Sequence, residues 1–166
     1  VVNKAALGNV WFVKGIQFEK GPAEVMKRLD NFNQKDTAII EQKDKIDGLN
    51  DIQVDEASQI TLVNNNNDEV NYKSSSSKKQ LAIFSEIYYK QGWKAYIDNV
   101  ETPIVKANYV LRALVVPAGT HSIRFEFKPT IVNNAQKASA AASIILWGLL
   151  VGLGFTSFKK WKSKTN

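Results

Sequence analysis

The sequence predicts a mainly β chain: an antiparallel β-sandwich-like extracytoplasmic domain with one short helix, followed by one C-terminal transmembrane helix. Three observations predict it. Short runs rich in β-branched and aromatic residues recur between turn signals over residues 10–127. Ala138 to Phe158 is an uncharged run of 21 residues. Lys159, Lys160, Lys162 and Lys164 follow that run at once.

Val10 to Glu19 (VWFVKGIQFE) alternates after Phe12 and reads as one strand. Pro22 to Phe32 places Val25, Met26, Leu29 and Phe32 at helical spacing, with Pro22 in the first turn, which predicts a short amphipathic helix. Thr37 to Glu41 is a second strand, and the polar stretch Gln42 to Glu56 reads as a loop. Ser58–Asn64 and Glu69–Ser74 form two short strands around an Asn-rich turn at Asn64–Asp68. Lys73 to Lys79, with four consecutive serines, reads as a mobile connection. Residues 80–89, 93–98, 102–107, 110–116 and 121–127 carry the strongest β signal, with tight turns at Asp98-Asn99 and Pro117-Ala118-Gly119. In the last strand Ile123, Phe125 and Phe127 share one face, and Ser122, Arg124 and Glu126 share the other. Seven or eight such strands suggest a β-sandwich.

The apolar run sets the domain limits: residues 1–136 form the β-rich domain, 137–158 the transmembrane helix and 159–166 a basic cytoplasmic tail. A helix of that length spans about 30 Å, the thickness of a bilayer core. Its nine Ile, Leu, Val and Phe residues favour insertion, by about 3–5 kcal/mol in all. The lysines beyond it place the C-terminus in the cytoplasm and residues 1–136 outside. Gly148 and Gly152 form a GxxxG pair, suited to packing against other transmembrane helices of a parent protein, although such a pair also arises by chance in a Gly/Ala-rich run. The last strand reaches this run through about nine residues, Pro129 to Lys137, so the sheet sits close to the membrane. The chain starts without Met and shows no signal segment, so an outside-facing domain is expected to be the C-terminal piece of a longer polytopic protein.

Composition narrows the function classes. The net charge is +6, yet the residues before Lys137 carry 17 basic and 16 acidic side chains. The basic excess therefore flanks the apolar run and does not form a nucleic-acid patch. With no cysteine and one histidine, His121, neither thiol chemistry nor a zinc site is expected, and His121 reads as a surface residue. No Gly-rich phosphate loop or nucleophile elbow is present, and no cofactor is expected. Asp44, Asp47, Asp51, Asp55 and Glu56 lack the calcium-loop pattern and read as a solvated loop.

The aromatic group Tyr88, Tyr89, Trp93, Tyr96 and Tyr109 allows two readings. Aromatic rings stack on sugar faces, and Glu86 or Arg112 could hydrogen-bond hydroxyls or a phosphate. Cross-strand packing in the sandwich core explains the same rings. In a strand, Tyr88 and Tyr89 point to opposite faces, leaving one for a ligand or the membrane portion. Arg112, between Leu111 and Ala113, is either a contact residue or an outward-facing residue on the solvated side of the sheet.

The block SEIYYKQGWKAYIDNVETPIVKANYVLRALVVPAGTHSIRFEFKP (85–129), with ALGNVWFV (6–13) and LDNFNQKDTAII (29–40), resembles the C-terminal end of the bacterial YfhO family. That resemblance implies a polytopic protein of the bacterial cytoplasmic membrane, a GT-C-type glycosyltransferase acting on polyprenyl-phosphate sugars at the outer face. It also implies that the catalytic carboxylate lies in an early loop outside this chain, so no catalytic residue is assigned here. The chain is then an accessory domain and last transmembrane helix that aids substrate positioning or stabilises the bundle. The alternative is a non-enzymatic membrane-anchored β-sandwich that binds surface polysaccharide or an envelope protein.

Overall fold

The computed structural model describes residues 6–129 and 139–152. The chain divides into two units between Lys128 and Pro129. The first is mainly β, with two sheets and few helices, as a β-sandwich-like domain requires. Among the described residues there are eleven strands, more than the seven or eight predicted.

The extra strands arise where predicted ones break. Val10–Glu19 is two strands, β1 (Val10–Val13) and β2 (Gly15–Glu19), separated by Lys14 alone. β1 pairs antiparallel with β6 (Gln80–Ile87), and β2 pairs parallel with β3 (Thr37–Glu41). With β9 (Val105–Ala107) and β10 (Leu111–Val116), they make a six-stranded sheet in the order β1-β6-β10-β9-β3-β2. Its two edge strands are joined through one residue, so the sheet curls until its edges meet at Lys14. There the N–H groups of Lys14 and Gly15 both donate to Asp36 O, at 2.8 and 3.0 Å. The crossover between the parallel strands is the helix α1 (Pro22–Leu29), which ends short of Phe32 and buries Val25.

The second sheet has the order β4-β5-β11-β7-β8, comprising Gln59–Asn65, Glu69–Ser76, Gly119–Phe127, Trp93–Ile97 and Val100–Thr102. The serine run is not a mobile connection. β5 continues through it, and the alternation of buried Val70, Tyr72, Ser74 and Ser76 explains why. The strand period sets these positions even where composition suggests a linker.

Two apolar clusters hold the unit together. One lies between the sheets and centres on Tyr72, Phe84, Leu114, Ile123 and Phe125. The other lies on the opposite face of the six-stranded sheet and includes Val13, Ile40, Leu81, Ile83 and Leu49. β6 contributes to both, which is why Leu81, Ala82, Ile83 and Phe84 form an unbroken buried run. Residues 42–56 are therefore more than a solvated loop. Leu49 is buried, and Ile46 and Ile52 pack on the second cluster. Asp55 is preorganised, accepting from the backbone N–H (2.6 Å) and hydroxyl (2.9 Å) of Ser77 and from the N–H of Ala57 (3.0 Å). The Ser77 N–H is the first cause of its lowered pKa.

The Asp98-Asn99 turn has both residues at positive φ, 49° and 69°, as a two-residue hairpin requires. Asp98 also fixes His121: Oδ2 lies 2.6 Å from Nδ1, while Nε2 faces Ala118 O at 3.2 Å. Both ring nitrogens face acceptors, so the ring donates twice only as imidazolium. The Asp98 hydrogen bond raises the His121 pKa, against a smaller effect of burial. The stabilisation it brings is complete below the unfolded value of about 6.5 and is lost as pH rises through the folded value. An NMR titration of this single histidine should therefore give a pKa above that of an unfolded peptide, and Asp98→Asn should bring it back down.

In the second unit, residues 139–152 are helical. They fall within the predicted span 137–158, whose other residues, with the tail 159–166, lie outside the described residues. Among the described residues no helix is long and apolar enough to cross a membrane.

Candidate functional site

Arg112 is not on a solvated face. It sits near the start of β10, and its side chain is 4% exposed. A register shift places it there. Arg112 pairs with Phe84 but Leu111 pairs with Ile87, so Ser85 and Glu86 have no partner on β10. Bulges of this kind re-aim side chains. Here the bulge brings Glu86 to the guanidinium. Arg112 Nε donates to Ile87 O at 2.9 Å. Nη1 lies 3.0 Å from Glu86 Oε2, a charge contact without the alignment of a hydrogen bond.

The guanidinium lies over Trp93 (4.1 Å to the ring centroid) and near Phe125 (5.3 Å). Tyr72 donates its hydroxyl to Glu86 Oε1 at 3.1 Å. Burial, reinforced by the Glu86 charge, pushes the Tyr72 pKa up, so it acts as a neutral donor. Burial likewise lowers the Arg112 pKa, and Glu86 opposes that shift.

Glu86 and Trp93 face a cleft of about 260 Å³ whose walls also include Tyr72, Ser85, Asn9, Asn65 at the end of β4 and the turn residues Asn66 and Asn67. Amides, a hydroxyl, a carboxylate and an indole together can hydrogen-bond the hydroxyls of a neutral polar ligand and cover an apolar face of it. A larger, open groove of about 820 Å³ runs along β1; it includes Asp55 and Glu56 of the acidic stretch but none of the candidate ligand-contact residues.

The other candidates lie elsewhere. Tyr88 and Tyr89 follow the end of β6 and are not strand residues with opposed faces. Tyr88 is half-buried, with its N–H bonded to Val110 O at 2.7 Å, and burial raises its pKa. Tyr89 and Tyr109 are exposed, and Lys106 Nζ is 5.9 Å from the Tyr109 ring. Trp93 packs on Phe127 (5.3 Å), while Tyr96 takes Arg124 on its ring at 4.4 Å. The aromatic group thus divides into packing, cleft and rim. Gly148 and Gly152 lie in the helical stretch with nothing described within 4 Å of either Cβ position. Sequence reasoning missed Tyr72, Ser85 and the Asn residues as cleft lining. The run Asn64–Asn67 was the one signal that could have found them, since amides suit a ligand as well as a turn.

Cleft and rim share the end of the domain at which the chain leaves β11. Phe127 N–H donates to Asp68 O (2.7 Å), Lys128 N–H to Gly92 O (2.6 Å), and the Trp93 N–H points to Tyr89 O (3.5 Å).

A family model described as bacterial membrane protein YfhO matches residues 43–136, more than half of the chain and all of the cleft residues from Asn65 onward. No curated protein and no solved structure matches.

Proposed function

The chain belongs to the YfhO family of bacterial membrane proteins, and from that premise we propose that its β-rich unit is an extracytoplasmic accessory domain that positions a glycan substrate. In this reading residues 137–158 form the last transmembrane helix of a polytopic parent, and the lysine-rich tail is cytoplasmic. Gly148 and Gly152 face neighbouring helices of the parent. The parent transfers sugar from a polyprenyl-phosphate donor at the outer face of the cytoplasmic membrane, with catalytic residues outside this chain.

One observation carries the reading. The cleft of Glu86, Trp93 and the Asn turn opens at the end from which the chain runs, through about nine residues, to its uncharged segment. A lipid-linked sugar is presented at that height. Arg112 holds Glu86 and Trp93 from behind and is a positioning residue. Tyr89 and Tyr109 lie outside the cleft.

The test uses the full-length parent. Asn66 and Asn67 are exposed turn residues, so Asn66→Ala with Asn67→Ala should leave the fold intact. Losing their hydrogen bonds, each worth about 0.5–1.5 kcal/mol, should raise the KM for donor or acceptor roughly 5- to 150-fold with kcat little changed. Unchanged transfer kinetics in that double variant and in Glu86→Gln would leave the domain a structural cap on the bundle.

A further inference from the structure

The rim beside the cleft is apolar and exposed in a way that the glycan reading leaves unexplained. Ile87 is 71% exposed, Tyr89 51%, Val110 44% and Tyr109 39%. These side chains are neighbours: Ile87 pairs with Leu111, and Tyr88 bonds Val110 across the β6–β10 end. Phe127 continues the row through its contact with Trp93. Tyr109 is held at φ 71°, a left-handed conformation that a bulky residue rarely adopts and that glycine would take without cost. Exposed Lys90 follows Tyr89 in the chain.

We propose that this rim, Ile87, Tyr89, Tyr109, Val110 and Phe127, dips into the headgroup region of the bilayer. Tyrosines with aliphatic neighbours and a lysine are the side chains that settle at that interface. The occupant follows from connectivity. Phe127 lies in the rim, and only residues 128–137 separate it from the uncharged run, so the tether cannot exceed roughly 40 Å even when fully extended. The proposal rests on that run being the anchor.

The test uses the whole chain in vesicles of phosphatidylglycerol and phosphatidylethanolamine. The chain has no cysteine, so single cysteines replacing Tyr89, Val110, Lys78 or Leu150 can each carry an environment-sensitive dye. Lys78 lies at the far end of the domain, two residues beyond β5's last residue, and Leu150 lies in the apolar run. Nitroxide lipids should quench the dye at 89 and 110 at least three-fold more than at 78. Tyr109→Gly should keep the fold and reduce quenching at 89. Equal quenching at 78, 89 and 110 overturns the proposal, as does a dye at 89 shielded from both nitroxide lipid and aqueous iodide, which marks a protein partner. Leu150 reports separately on the anchor: quenching there without quenching at 89 sinks the rim alone, and its absence sinks the anchor.

Discussion

Replacing Arg112 with alanine should destabilise the β-rich unit by about 3–5 kcal/mol, the range for breaking a buried ion pair by removing one partner. Three losses coincide. Half-buried Glu86 keeps its Tyr72 hydrogen bond but loses the positive charge 3.0 Å away. Ile87 O loses its donor, and the rings of Trp93 and Phe125 lose the guanidinium packed on them. Lysine should not rescue the site, because an ammonium cannot stack as a plane while donating sideways to Ile87 O. Adding Glu86→Leu to Arg112→Met should recover much of the loss, since it removes the stranded charge. Thermal unfolding of the chain in detergent or nanodiscs checks this series. A cost for Arg112→Ala below about 1 kcal/mol would mean a solvated guanidinium, as on an exposed surface.

Phe84→Ala should cost about as much, roughly 3–5 kcal/mol for truncating a large buried ring. Phe84 is fully buried on β6. It meets Tyr72 and Phe125 edge-on, each at 4.8 Å between centroids, and Tyr72 also meets Phe125 at 6.1 Å. The three rings join both sheets, so the cavity left behind has no flexible neighbour to fill it. Tyr72 is the second holder of Glu86, so the damage should reach the cleft as well as the core. Phe84→Leu should recover part of the stability. The comparison of Tyr72→Phe, which removes only the hydroxyl, with Phe84→Ala separates the cleft effect from the packing effect in the same unfolding measurement.

Local signals were legible and non-local ones were not. The alternation in β11 and the Asp98-Asn99 turn depend on period and turn chemistry within a few residues, and both are found where the sequence places them. The split between β1 and β2 depends on partners 68–74 and 22 residues away, Leu81–Phe84 and Thr37–Glu41, which no local pattern in VWFVKGIQFE reveals. The serine run was hidden by composition: β5 pairs with β4 and β11 through it, and Ser74 and Ser76 are buried because they share the face of Val70 and Tyr72. Buried charge was equally hidden. Glu41 reads as a strand-ending acid, yet it is buried and ion-paired to Lys106 and Lys43.

The site shows the same limit. Glu86, Trp93 and Arg112 were candidates by residue type, and the fold brings them together. Tyr89 and Tyr109 were candidates for the same reason, and the fold sends them to the rim. The difference lies in a register shift opposite Ser85 and Glu86 and in the turn at Asn108-Tyr109, where both residues have positive φ. Neither feature leaves a mark in the residues' spacing.

The proposal that the β-rich unit lies outside the cell, on an anchor with its lysines inside, is tested most directly by cysteine labelling in intact bacteria expressing the parent. Lys78→Cys should react with a membrane-impermeant maleimide, and Lys162→Cys should react only after permeabilisation. Labelling of Lys162→Cys in intact cells with Lys78→Cys protected would contradict both the orientation and the role proposed for the cleft.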